Sequence, residues 1–403
     1  MVLLTLWLTW AAASADTTKF DVQPFKINLG SEIPRLHALV NNTRLPSKAL
    51  YGVGQDKGIE LDFLAELRRE WLEVFDWEAQ EAELNRFTQY TAEIEGLTVH
   101  FVHEKSADPD AIPLILLHGW PGSFQEFAPI IKPLTTPTEN VSFTVVVPSL
   151  PGFVFSSPPP RANWTVDDTA RIFNVLMTEV LGYKTYALHG TDWGSVVGYS
   201  MYGSFNTTVR AAHFVFLPFF GPTPEEIAAD NITLSDVEKV AENKGNLFVS
   251  LGLAYRDEQT QKPNDIGLAL YDNPVGQLAW IGSKMKLWSD PRAGTPPSVL
   301  NTTAILTSVS LYALTSSFLT SVWIYASNPN GFSTTYSQAP TDAPMLFSQF
   351  EYNIIFYPEE YVKQTTKNLV SYKVHDFGGH FPGLDNPPAL IEDIREIAAV
   401  FVR

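Results

Sequence analysis

Cysteine is absent from all 403 residues, which excludes disulfides, thiolate metal ligands and a cysteine nucleophile. Positive charge is scarce and dispersed: 27 Lys and Arg against 44 Asp and Glu give a net charge of −17, and no Lys/Arg cluster occurs. Such a chain does not favour phosphate backbones or anionic lipid surfaces, so neither nucleic acid nor an acidic membrane is expected as a partner. There is no P-loop, no dinucleotide-binding glycine fingerprint and no metal-spaced histidine pair, so no cofactor and no metal are implied. Repeats and low-complexity tracts are missing as well. What is present is 45% hydrophobic content over a length that can bury a sizeable core, in about two compact parts.

The first apolar stretch, residues 2–15, is too short to span a bilayer as a helix and has no Lys or Arg in front of it. It ends in Ala13-Ser14-Ala15, a small-x-small cleavage pattern, so the expectation is a signal peptide over 1–15 and a mature chain starting at Asp16. N-x-S/T sequons at Asn41, Asn140, Asn163, Asn206, Asn231 and Asn301 agree with secretion.

The segment 189–194, His-Gly-Thr-Asp-Trp-Gly, follows the strand-like run Thr185–His189 and precedes a helix-like run. It reads as a nucleophile elbow, a sharp strand-to-helix turn in which Gly190 and Gly194 let the backbone crowd, with Asp192 where a serine hydrolase carries Ser. Taken alone, G-x-D-x-G reads equally well as a turn holding a buried structural Asp. Two further motifs weigh against that. Leu114–Leu117 reads as a buried strand ending in His118-Gly119-Trp120-Pro121-Gly122, and Leu369–Val374 reads as a strand followed by a glycine-bracketed loop, Phe377-Gly378-Gly379-His380-Phe381. The order oxyanion loop, nucleophile, histidine resembles that of α/β-hydrolases. A carboxylate nucleophile forms an alkyl ester, which suits a strained or good-leaving-group carbon centre rather than acyl exchange.

Strand-like runs also occur at Ile94–Glu104, Thr144–Val147, Ala212–Leu217 and Pro344–Phe347, interleaved with helical patterns at Leu61–Phe75, Thr165–Leu181 and Pro388–Phe401. Strands alternating with helices predict an α/β fold with a mainly parallel sheet. The run 221–335 breaks that rhythm, reads helical with a Pro/Gly-rich interruption at Pro291–Ser298, and is expected to be an inserted cap.

Together these motifs resemble the microsomal-type epoxide hydrolase family, in its fungal branch, from about Phe20 to the C-terminus. Phe75-Asp76-Trp77, Leu84-Asn85-Arg86-Phe87 and Ile94-Glu95-Gly96 are similar to that family's N-terminal meander. The resemblance implies an α/β-hydrolase fold divided into a meander at 16–95, core segments at 96–220 and 336–403, and the helical cap at 221–335. It implies two cap tyrosines, Tyr255 and Tyr325, that hold and protonate an epoxide oxygen. It further implies Asp192 as nucleophile, His380 as base, and the backbone N–H groups of Trp120 and Trp193 as oxyanion donors, with these indoles and His118 about an apolar substrate slot. The partner is then a small epoxide; no stable membrane span is expected, and self-association is left open. In one place the chain departs from the family: the acidic member of the triad falls on Asn353, with Glu351 two residues earlier. Glu351 as a substitute, Asn353 as a neutral orienting group, and impaired activity all stand as readings. The alternatives are a haloalkane-dehalogenase-like hydrolase, which shares the Asp and His but has no need of the tyrosines, and a catalytically silent relative.

Overall fold

The structure, a computed structural model, describes residues 19–49, 57–139 and 141–402. The expected signal peptide and the sequon at Asn140 lie outside the described residues. The strands are β1 (Gln23–Phe25), β2 (Gln89–Ile94), β3 (Leu97–Glu104), β4 (Ile112–Leu117), β5 (Phe143–Pro148), β6 (Tyr186–Gly190), β7 (Val209–Phe214), β8 (Met345–Tyr352) and β9 (Leu369–Gly379). They join one sheet in the order β1-β2-β3-β5-β4-β6-β7-β8-β9. The pairs from β1 through β3 to β5 are antiparallel and the remaining pairs, β5 to β9, are parallel. Leu114–Leu117 and Val145–Val147 are fully buried, as continuous apolar runs must be when helices cover both sheet faces.

Several elements differ from the sequence expectation for identifiable reasons. Ile94–Glu104 is not one strand. Glu95 (φ 52°) and Gly96 (φ 79°) turn the chain back between β2 and β3, a tight hairpin that an alternating pattern on both sides conceals. The run Ala212–Leu217 leaves the sheet after Phe214, and Val215 and Phe216 turn into the site described below. β9 continues through Gly378 to Gly379, where a register shift against β8 pairs Tyr352 with Gly379, so much of the expected glycine loop is strand. The last helix is broken into Pro387–Arg395 and Ile397–Val400. The helix at Val166–Val175 starts on a reciprocal Thr165–Asp168 cap and passes into a wider π turn over Leu176–Val180.

Between β7 and β8 the chain is helical from Pro224–Ala229 to Phe318–Ser327. Thr302–Leu314 is buried continuously from Ala304 to Tyr312, so it forms the centre of this layer rather than its surface. The helix Leu61–Glu73 buries Leu64, Leu67 and Trp71 on one stripe, and the Trp71 indole N–H donates to Ser310 Oγ at 3.0 Å, which ties the N-terminal segment to that central helix. Among the described residues no single helix is long and apolar enough to cross a membrane.

Candidate active site

β4 and β6 are neighbours, and Leu117 pairs with Gly190. That register places the loop after β4 beside the turn after β6, at the carboxyl ends of parallel strands where such sheets bind ligands. The turn is tight. A Cβ on Gly194 would lie 2.0 Å from the Leu117 carbonyl oxygen, and one on Gly190 would lie 2.9 Å from the Gly194 carbonyl oxygen, so only glycine fits at either. Asp192 opens the helix Asp192–Ser204 with φ 47°, a left-handed conformation that costs a non-glycine residue about 1–2 kcal/mol and aims its side chain out of the turn.

The two carboxylate oxygens of Asp192 have different surroundings. Oδ1 accepts from the Trp120 backbone N–H at 2.7 Å. Oδ2 lies 3.3 Å from His380 Nε2. The carboxylate is buried, about 5% exposed, so its partners rather than water set its orientation. Trp193 occupies the first turn of the following helix, where a backbone N–H has no helical acceptor.

His380 follows β9, and its Nδ1 lies 2.9 Å from Asn353 Oδ1. The orientation of the Asn353 amide is forced. Its Nδ2 donates to the Val215 carbonyl at 2.7 Å and its Oδ1 accepts from the Ile354 N–H at 2.8 Å, and a flip would oppose two acceptors and two donors. Asn353 Oδ1 therefore accepts from the His380 Nδ1–H, and Nε2 is the ring nitrogen that faces Asp192. Glu351, the other expected candidate, is not at this histidine. Its carboxylate lies 3.6 Å from Arg292, on the other side of the strand end, and burial raises its pKa against the pull of Arg292.

Tyr255, on the helix Ala254–Gln261, and Tyr325, on Phe318–Ser327, converge from the cap with ring centroids 5.9 Å apart. Burial pushes both phenols well above the usual tyrosine range, and the neighbouring Asp192 adds to this. Both are thus held protonated. The Tyr325 hydroxyl lies near that of Tyr255 but in no well-formed hydrogen bond, so a buried donor is available. The Trp120 ring stacks on Tyr255 at 5.4 Å and meets Tyr325 edge-on at 5.8 Å, while the Trp193 ring packs between Tyr325 and Phe332. The chamber over Asp192, walled by Phe216, Phe248 and Tyr255 among others, encloses about 20 Å³, room for roughly one water. An organic substrate enters only by displacing cap side chains.

His118 does not line this chamber. Its Nε2 accepts from the Leu150 N–H at 3.1 Å, its Nδ1 faces the Gly119 carbonyl at 3.1 Å, and burial lowers its pKa to about 4. It is a neutral brace for the loop. Sequence reasoning missed the frame behind His380. The Gly378 N–H donates to Asp290, Asp290 N–H donates to Asp385, and Arg292 grips both Asp290 oxygens at 2.8 and 2.6 Å. Burial would raise the Asp290 carboxyl, but Arg292 and the backbone donors outweigh it and hold it low. The Trp288 carbonyl accepts from the His380 N–H at 2.8 Å, and its indole meets the imidazole edge-on. Asp290 and Arg292 lie in and beside a segment whose composition signals only a break, so nothing in the string advertises them.

The family described as "Epoxide hydrolase N terminus" matches residues 22–127, and the α/β-hydrolase fold family matches 112–251. A putative epoxide hydrolase of Stigmatella aurantiaca is 33% identical, covering 93% of this chain and 84% of its own. The structure of Aspergillus niger epoxide hydrolase is 35% identical, with a TM-score of 0.81 over 94% of this chain and 96% of its own. That of juvenile hormone epoxide hydrolase from the silkworm Bombyx mori is 25% identical, with a TM-score of 0.84 over 95% of each. On its sheet order, its carboxylate elbow and this extent of similarity, the chain belongs to the microsomal-type epoxide hydrolase family of the α/β-hydrolase superfamily.

Proposed function

We propose that the protein converts an epoxide to a vicinal diol through a covalent ester on Asp192. The observation that carries this reading is the division of the Asp192 carboxylate, with Oδ1 on the Trp120 N–H and Oδ2 free to face the cavity beside His380 Nε2. Asp192 Oδ2 attacks one ring carbon and the ring C–O bond breaks. The leaving oxygen takes a proton from Tyr255 or Tyr325, phenols that burial keeps protonated until an alkoxide develops beside them. In the second step His380 Nε2 removes a proton from water, whose oxygen adds to the ester carbonyl carbon. The oxyanion that forms on Oδ1 is held by the Trp120 and Trp193 N–H groups. Collapse expels the diol oxygen, which takes the proton from His380, and the carboxylic acid left at Asp192 gives up its proton, which restores the tyrosine hydroxyl and the Asp192 carboxylate.

A single turnover in heavy-oxygen water tests this. The label is expected in Asp192 and not in the diol, and Asp192→Ala is expected to abolish diol formation. Label in the diol after one turnover would replace the ester mechanism with direct attack by water. The tyrosine pair favours an epoxide over a haloalkane, since a halide leaves without needing a proton. We also propose that the protein is secreted. The sequon residues Asn41, Asn163, Asn206, Asn231 and Asn301 are exposed, as glycan acceptors must be. Protein from the native host that retains Met1 and carries no glycan would refute secretion.

A further inference from the structure

A second cavity, of about 510 Å³, adjoins the reaction chamber and shares Phe248, Tyr255 and Ile354 with it. Apart from Ser283 its walls are otherwise apolar and aromatic, yet three lysines reach it: Lys57 at the exposed rim, and Lys244 and Lys284 within. No Asp or Glu among the described residues lines it, in a chain whose acidic residues outnumber its basic ones by 44 to 27. Among the described residues neither Lys244 nor Lys284 has an ion-pair partner. One donor of each ammonium is taken by a main-chain carbonyl, Leu287 for Lys244 at 2.6 Å and Trp280 for Lys284 at 3.0 Å.

Lys284 is the more telling of the two. It is about 9% exposed, and its ammonium lies 4.3 Å from the ring centre of Trp280, 5.1 Å from that of Tyr255 and 5.9 Å from that of Trp120. Aromatic faces hold a cation but do not neutralise it, and a buried charge without a counter-ion is costly. Burial accordingly pulls its pKa down to about 7. An anion arriving beside it would restore the charge and use its remaining donors.

We propose that this cavity receives a carboxylate borne by the epoxide substrate itself, with Lys284 as its counter-charge, which makes Lys284 a specificity-determining residue. The inference rests on the epoxide-opening reading of Asp192. The ammonium is one aromatic ring away from Tyr255, so the carboxylate belongs only a few bonds from the oxirane. At that distance a second anion is repelled by Asp192, and Lys284 offsets the repulsion. Among the described residues no arginine lines the cavity to grip a phosphate with a planar fork, which favours a carboxylate.

The test compares styrene oxide bearing a para carboxylate with its primary carboxamide, which has the same shape and no charge. Wild type is expected to favour the acid in kcat/KM by about tenfold or more, mainly through KM, as a charge-assisted pair with a buried lysine would provide. Lys284→Gln should bring the acid-to-amide ratio to about one, and Lys284→Arg should keep it high. Benzoate should also bind wild type more tightly than benzamide in a calorimetric titration, a comparison that needs neither turnover nor a variant to fold. Equal kcat/KM for the two epoxides in wild type, or an unchanged ratio in Lys284→Gln, overturns the proposal. So does an equal loss of kcat on both epoxides in Lys284→Gln, which would assign the lysine to Tyr255 instead. If neither epoxide is opened, the parent reading fails, and the benzoate–benzamide difference still decides the charge preference of the cavity.

Discussion

At Asn353 a neutral amide stands where the family resemblance expects a carboxylate, and its contacts define what that change does. The amide orients the imidazole as a carboxylate would, through Oδ1 on His380 Nδ1. In the proposed mechanism it cannot offset the charge of the imidazolium that forms while the ester is hydrolysed, which weakens a general-base contribution of about 10²–10⁴-fold. The ester should therefore accumulate in wild type, visible as an adduct by intact mass after mixing with substrate. Asn353→Asp should raise turnover by about tenfold or more and diminish that adduct. It should also lower the melting temperature, because the new oxygen replaces the Nδ2 donor facing the Val215 carbonyl. Glu351→Gln should change turnover little, since Glu351 belongs with Arg292. Fast wild-type turnover without any adduct would refute the slow-hydrolysis reading. At the two phenols, Tyr255→Phe and Tyr325→Phe should each slow ring opening, and the double variant should lose roughly 10³-fold, because either hydroxyl can serve the alkoxide. Unaltered single-turnover rates in all three would reduce these residues to packing.

At the scale of elements, the loop after β4 and the turn after β6 form one unit because the register holds them side by side. A Cβ on Gly119 would lie 2.1 Å from Asp192 Oδ1, so Gly119→Ala pushes the proposed nucleophile itself rather than a distant support. Its expected cost is about a hundredfold in the alkylation step, as for displacing a reacting group by an ångström, with the melting temperature little changed. A variant that unfolds before it loses alkylation would show instead that the glycine serves the fold. The strand ends also explain which features were legible. Gly190, Gly194 and Asp192 sit within five residues of one another, so the turn is written locally. The partner of His380 depends on a bulge between β8 and β9, and a bulge shifts by one residue which side chain faces the histidine.

Across the whole molecule, buried histidines set the response to acid. His100, His103, His118 and His213 are hydrogen-bonded inside the protein, and burial depresses them to about 3, 4, 4 and 4. In the unfolded chain each takes up a proton near pH 6.5, so the unfolded state binds more protons and stability falls as pH drops from about 6.5 towards 4. Asp385, Glu126 and Glu351 work in the opposite direction, since burial raises their carboxyls, that of Asp385 to about 6, and the folded state then gains by protonation, but they are three groups against these four histidines and His189, which burial depresses as well. Urea unfolding at about pH 4.5 should therefore show a stability lower by about 3 kcal/mol or more than at pH 7. An unchanged midpoint would mean that these histidines are not neutral in the folded protein.

The sequence by itself determined the fold class, the helical insertion between two parts of a parallel sheet, and the three motifs at strand ends. It could do so because buried strands are runs of apolar residues, and sharp turns demand glycine at fixed offsets from the residue they present. Tertiary structure alone decided that Asn353 and not Glu351 meets His380, that His118 braces a loop, and that Asp290, Arg292 and Trp288 hold the His380 segment in place. Each of these outcomes depends on which of several polar side chains, distant in sequence, faces a given atom across a bulge or a cap. Periodicity does not carry that information, because it reports which face of an element is buried and not what lies opposite.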